Sequence, residues 1–176
     1  MQRFLPLLIV IGLVGLFAYM LRDGRNPSEI KNIHVGEPAP EFSLADIGGS
    51  DGDIDETILK SGSPVLVNFF ASWCVPCRAE HDSLMELANT HNIKIIGIAY
   101  KDKPEDSRAF LEELGNPFEV YGGDLDGVVG FEWGVTGVPE TFIVDGNGRI
   151  RYHHYGPIVG DALAQKVLPE FLKVSK

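Results

Sequence analysis

Pro64-Val65-Leu66-Val67-Asn68-Phe69-Phe70-Ala71-Ser72-Trp73-Cys74-Val75-Pro76-Cys77 sets the architecture of this chain. Its first seven residues form a nearly unbroken apolar run, as a strand buried on both faces requires. From about Val75 to Thr90 the pattern changes to helical spacing, with Ala79, Leu84, Leu87 and Ala88 recurring on one side. Two cysteines separated by two residues therefore fall at the junction of a buried strand and a helix. At that spacing both sulfurs lie on the same side of the first turn, within bonding reach, which is a redox arrangement. Cys74, at the helix N-terminus, faces unpaired N–H groups and the positive end of the dipole, and both stabilise a thiolate. Cys77, one turn further in, is expected to be more buried and less acidic, making Cys74 the attacking sulfur and Cys77 the resolving one. Pro76 suits this turn because its missing N–H would have had no partner there.

Outward from this segment, strands and helices alternate. Toward the N-terminus, Glu41 to Leu44 reads as a short strand, Asp46 to Gly52 as a turn and Asp55 to Lys60 as one or two helical turns. Toward the C-terminus, Ile93 to Ala99 reads as a second central strand. Pro104 to Leu114 reads as a helix ending at Gly115, with Glu105 and Asp106 in its first turn. A short strand is expected around Phe118 to Tyr121 and a short helix from Asp126 to Trp133. Asp145-Gly146-Asn147-Gly148 joins Thr141–Val144 to Arg149–His153 as a hairpin, and Asp161 to Lys173 closes the chain as a helix. The fold class is α/β, a mixed central sheet flanked by helices.

The chain has 176 residues, 44% apolar and 23% charged, enough for one domain and some remainder. Its net charge of −10 argues against nucleic acid as a partner. Only two cysteines are present, so no disulfide framework staples the fold. The remainder lies at the front, where Phe4 to Leu21 carry no charge over 18 positions. At ~1.5 Å per residue they extend about 27 Å, close to the hydrocarbon thickness of a bilayer. No small-residue cleavage site follows, so an uncleaved anchor is expected rather than a removed signal peptide. The expected organisation is a membrane anchor over 1–21 (a short cytoplasmic N-terminus and a helix over 4–21), a polar tether over 22–35, and one domain over 36–176. Counting Arg22, Arg25 and Lys31 against Arg3 and the α-amine slightly favours a cytoplasmic C-side; the dithiol motif points the other way.

Other chemistries for the cysteine pair fit less well. Structural zinc needs four ligands, and Cys74, Cys77 and His81 supply three. Covalent haem attachment needs His directly after the second cysteine, where Arg78 stands. The proline and hydroxyl residue of a peroxidatic-cysteine pattern would fall at positions 67 and 71, which hold Val67 and Ala71. No metal and no cofactor beyond the Cys74–Cys77 pair is expected.

Ala71 to Glu80 (ASWCVPCRAE) resembles the active-site segment of the thioredoxin superfamily, and Gly137-Val138-Pro139-Glu140-Thr141-Phe142 resembles its cis-proline segment. Together with Tyr100-Lys101-Asp102, Gly115-Asn116-Pro117, the Gly-x-Pro-Ala-Pro lead-in at 36–40 and the anchor, the chain is similar to the periplasmic thioredoxins of cytochrome c maturation, the CcmG or DsbE family. The resemblance implies a thioredoxin-like fold with an N-terminal transmembrane anchor, single-pass in a bacterial inner membrane, its domain in the periplasm. It implies a protein disulfide oxidoreductase that keeps apocytochrome c or a maturation partner reduced for haem attachment, supplied with electrons by a CcdA- or DsbD-type membrane reductase. The alternatives are a broader membrane-tethered reductase of the TlpA or ResA type, or a non-catalytic module that binds apocytochrome.

Around Cys74 and Cys77, Trp73, Pro76, Glu80 and Pro139 are expected to support the site, with a cis bond at Val138–Pro139. Glu80, three residues after Cys77, would be a desolvated carboxylate able to take the Cys77 proton and to oppose thiolate formation, or else a solvated acid of the first helical turn favoured by the dipole. Trp73 would cover the disulfide and touch substrate. The backbone at Val138 would pair with an extended substrate segment, and Glu140 would meet a polar substrate loop or face water. His81, His91, His153 and His154 read as ordinary helix and strand residues. Asn68, inside the apolar strand, needs a hydrogen-bond partner that the sequence does not name.

Overall fold

In the computed structural model, residues 5–22, 34–49 and 52–175 are described. The chain separates into two units, Met1–Lys31 and Asn32–Lys176. In the first, an 18-residue helix α1 runs over Leu5–Arg22. Its side chains are described from 9 to 19, and every one there is exposed. Among the described residues no helix is long and apolar enough to cross a membrane. Most of the expected tether, 23–33, lies outside the described residues.

The second unit is built on the strand predicted from the opening segment. That strand, β3 (Val65–Phe70), is buried at every position. It follows two short strands, β1 (Ser43–Ala45) and β2 (Asp53–Asp55), that pair antiparallel with Leu44 opposite Ile54. A single turn of 3-10 helix (Glu56–Lys60) links β2 to β3 and is capped by the Asp55 carboxylate on the Thr57 N–H. After β3 come α2 (Val75–Asn89), β4 (Ile95–Tyr100), α3 (Pro104–Leu114), β5 (Val120–Asp124), α4 (Val128–Glu132), β6 (Glu140–Val144) and β7 (Ile150–Tyr155). The five-stranded sheet has the order β5-β4-β3-β6-β7. β3, β4 and β5 run parallel, while β6 and β7 are antiparallel additions.

The alternation of β3 divides the interior in two. Leu66 and Phe70 join Cys77, Leu84 and Leu87 of α2 on one face. Val65, Val67 and Phe69 join Phe142 and the fully buried Trp133 on the other. Phe69, Trp133 and Phe142 meet mutually at tilted and edge-on angles, with centroids 5.1–5.6 Å apart. Each such fully buried aromatic contributes about 1.5–3 kcal/mol by leaving water.

Three elements differ from the sequence expectation. β2 falls just after the expected turn, because Ile54 has a place to pack once Leu44 lies opposite it. The strand expected at 118–121 sits at 120–124 and includes Gly122 and Gly123. There a Cβ on Gly122 would stand 2.7 Å from Ile54 Cδ1 and 2.9 Å from Leu44 Cβ, so glycine is what allows the β1–β2 pair to close on the sheet. The final helix opens as a π-turn (Leu163–Val167) before α5 (Leu168–Val174). Pro169 lacks the N–H for a regular bond back to Gln165, and its ring clashes with that carbonyl, which accounts for the widened turn.

Candidate active site

The first wall of the site is the turn from β3 into α2. Ala71, fully buried, accepts the Cys74 N–H at 3.2 Å, and Cys74 caps α2 from an extended conformation. The Cys77 N–H donates to Cys74 Sγ at 3.1 Å, so an orphan donor of the helix start is aimed at this sulfur. The two cysteines are joined, with S–S 2.08 Å and Cα–Cα 5.2 Å. The expected difference in exposure is absent in this oxidised form: Cys74 is 4% exposed and Cys77 2%. What separates them is the donor on Cys74. Trp73 is 58% exposed, and its indole N–H donates to the Lys101 carbonyl at 3.2 Å. Pro76 lies in the first turn of α2.

Asp102 pins this turn from behind. Buried at the end of β4, it accepts from the Ser72 N–H and Ser72 Oγ, both at 2.8 Å, and from Ser107 Oγ at 2.7 Å. The sequence shows Asp102 only as part of a tripeptide of the resemblance, and its partner Ser72, 30 residues upstream, leaves no local pattern.

The second wall is the loop before β6. The Val138–Pro139 bond is cis. The Val138 carbonyl oxygen lies 3.5 Å from Cys74 Sγ. Glu140 corrects the sequence reading, in which it met substrate or water: it is 2% exposed and both its oxygens are taken within the fold. Oε1 accepts from the Thr136 N–H (3.0 Å), Thr136 Oγ1 (2.6 Å) and the Gly137 N–H (3.1 Å). Oε2 accepts from His153 Nε2 at 2.8 Å. Burying a carboxylate is tolerated where its lone pairs are met, and here four donors meet them. His153, read as an ordinary strand residue, is thus part of the support of this loop. His81 behaves as expected: its Nε2 donates to the Gly115 carbonyl at 2.9 Å.

The floor lies on the α2 side of the sheet. Glu80, on the turn of α2 that follows Cys77, has no exposed surface. Asn68 supplies the answer to its own burial: its Nδ2 donates to Glu80 Oε1 at 2.9 Å and to Thr141 Oγ1 at 3.0 Å. The Ile158 N–H donates to Glu80 Oε2 at 2.8 Å. Burial pushes the Glu80 carboxyl up from 4.5 to about 7, against the lowering effect of the Ile158 and Asn68 hydrogen bonds. A carboxyl group of that affinity exchanges its proton near neutral pH, one turn from a cysteine that must lose and regain one.

A dithiol that closes to a disulfide at a helix N-terminus, faced by a cis-proline loop on a mixed five-stranded sheet, defines a thioredoxin-like thiol:disulfide oxidoreductase. Comparison with known proteins agrees. The chain belongs to the AhpC/TSA family, whose pattern matches residues 35–153, and within it to the thiol:disulfide interchange proteins of the DsbE and HelX kind. It is 40% identical over 166 residues to the thiol:disulfide interchange protein HelX of Rhodobacter capsulatus, covering 94% of this chain and 93% of that one. It is 35% identical over 175 residues to the thiol:disulfide interchange protein DsbE of Escherichia coli, covering 98% and 94%. Among solved structures, the thioredoxin domain of a thiol-disulfide oxidoreductase from Bacteroides vulgatus superposes with a TM-score of 0.64 at 26% identity, over 77% of this chain and 96% of that one.

Proposed function

We propose that this protein is a membrane-anchored periplasmic reductant that opens disulfides in apocytochrome c, or in a maturation partner, so that haem can be attached. The observation that carries the reading is the Cys74–Cys77 pair set over a buried carboxyl that takes up and releases its proton near neutral pH. In the reduced form, Cys74 takes the attacking role because the Cys77 N–H and the α2 N-terminus stabilise its thiolate. Its sulfur bonds to one substrate sulfur, and the substrate S–S bond breaks, releasing the other as a thiolate. Cys77 then gives its proton to the ionised Glu80 carboxylate and attacks Cys74 Sγ. The Cys74–Cys77 bond forms, the second substrate sulfur leaves, and two electrons have passed to the substrate. A membrane reductase of the CcdA or DsbD type would restore the dithiol. Val138 lies beside Cys74 and supplies backbone for an extended substrate segment; Trp73, exposed next to it, supplies apolar contact.

The anchor in this reading is the uncharged segment 4–21, supported by its sequence and by the exposed apolar side chains between Ile9 and Tyr19; it does not rest on a spanning helix, since no helix among the described residues is long and apolar enough to cross a membrane. A mature protein with a new N-terminus near Arg22 would overturn it. For the function, Cys77→Ser should accumulate mixed disulfides with an apocytochrome or a maturation protein in the native membrane, while Cys74→Ser accumulates none. Partners identified by mass after reductive release test the claim. Equal trapping by both variants would show the assigned roles to be wrong. A miscellany of periplasmic proteins with no cytochrome component favours the broader TlpA or ResA type of reductase.

A further inference from the structure

We propose that His153 is a positioning residue of the disulfide site, acting through Glu140 on the loop that faces Cys74. The link can be followed atom by atom. The His153 ring stacks on Phe142, its register partner across β6 and β7, with centroids 3.9 Å apart and planes 16° from parallel. The Tyr155 ring centroid is 3.8 Å away. Held by these rings, the imidazole donates from Nε2 to Glu140 Oε2, with 1% and 3% of the two side chains exposed. Glu140 Oε1 in turn holds the N–H groups of Thr136 and Gly137 and the Thr136 hydroxyl. The next residue is Val138, whose carbonyl oxygen lies 3.5 Å from Cys74 Sγ.

A carboxylate gripped at both oxygens has one orientation. Without the imidazole, Oε2 is an unmet acceptor in a dry site, and rotating the group to find another donor carries Oε1 off the loop. The loop matters to the sulfur because the Val138 carbonyl is the negative end of a dipole. In the reduced protein it accepts from a Cys74 thiol and repels a Cys74 thiolate, so it opposes the Cys77 N–H and the α2 N-terminus. His153 therefore keeps Cys74 less acidic than its helix position alone would make it. The inference rests on Cys74 being the sulfur that meets substrate, but its test reads the acidity of Cys74 itself and needs no protein substrate.

The experiment uses the full chain in a Cys77→Ser background, where Cys74 is the single thiol. His153→Phe preserves a ring between Phe142 and Tyr155 and removes the donor. Titration of the thiolate absorbance should show the Cys74 acid dissociation constant raised about three- to tenfold, as expected for loss of one opposing dipole. Hydrogen exchange at the Thr136 and Gly137 amides should quicken about tenfold or more, as expected when hydrogen bonds open locally. His153→Gln, which retains an N–H donor, should return both toward the parent values. If the loop amides loosen while Cys74 titrates unchanged, or if neither moves, His153 is a packing residue and the inference is overturned. Should the single variant fail to fold because a carboxylate is left unmet, His153→Phe with Glu140→Leu removes that carboxylate. The same rise in Cys74 acidity is then expected, and an unchanged titration again overturns the inference.

Discussion

Replacing Glu80 by Gln should remove a pH dependence from the stability of this protein. In the fold, the carboxyl rises from 4.5 to about 7 because burial penalises its charge more than Asn68 and Ile158 relieve it. Below about pH 4.5 it is protonated in both folded and unfolded chains and contributes no difference. Between about 4.5 and 7 the unfolded chain releases the proton and the folded one keeps it, so stability falls as pH rises. Above about 7 both are ionised and the loss is complete. At about 1.4 kcal/mol for each tenfold change in proton affinity, the full loss is about 3 kcal/mol. Gln at 80 is neutral throughout and resembles the protonated acid in shape. Its amide group needs an acceptor, and Asn68 Oδ1, buried without a partner, is next to it once the Asn68 amide turns over. Urea unfolding of the oxidised proteins from pH 5 to 8 measures the effect. His81 and His154, whose burial lowers their proton affinity, contribute with the opposite sign in both proteins and cancel in the difference. The variant should gain about 2–3 kcal/mol on the parent at pH 8 relative to pH 5. Parallel curves would mean that Glu80 is an acid buried without electrostatic cost, against this expectation.

Asp102→Ala should cost about 2–3 kcal/mol in urea unfolding, since Ser107 Oγ and the Ser72 N–H lose their acceptor in a buried place. It should also slow exchange at Cys74 with glutathione disulfide, because Ser72 is two residues from that sulfur. Gly122→Ala should cost about 1–3 kcal/mol by driving Ile54 and Leu44 off β5, with an unchanged denaturant slope.

The parts of the fold legible in the sequence are those where one segment carries its own pattern. β3 reads from seven successive residues, α2 from apolar spacing, and the β6–β7 turn from Asp145-Gly146-Asn147-Gly148. β5 reads poorly because Gly122 is needed by Ile54, a residue from another strand pair. Within the site, the cysteines and Pro139 stand in recognisable segments, and Glu80 is found by its spacing from Cys77. Glu140 misleads because a carboxylate beside a proline looks solvated. Its partner is hidden by an irregularity: the register shifts by one between Ile143 and Val144, where β6 and β7 pair as Val144 with Ile150 but Ile143 with Tyr152. Counting back from the turn without that bulge would put His154, not His153, on the face of Phe142 and Glu140. The equal burial of the two cysteines was likewise out of reach, since it depends on the 136–139 loop closing over Cys74.

In the proposed role the Cys74–Cys77 pair gives electrons away rather than taking them. Equilibrating the protein with defined ratios of reduced and oxidised glutathione, and determining the fraction closed at each, gives its reduction potential. Proteins of this redox chemistry span from about −270 mV for a reductant to about −120 mV for an oxidant, and about 30 mV changes the equilibrium tenfold. A reductant should show a value in the reducing half of that range, with the disulfide persisting in all but strongly reducing mixtures. A value near −120 mV, with the dithiol favoured under mildly reducing conditions, would contradict it.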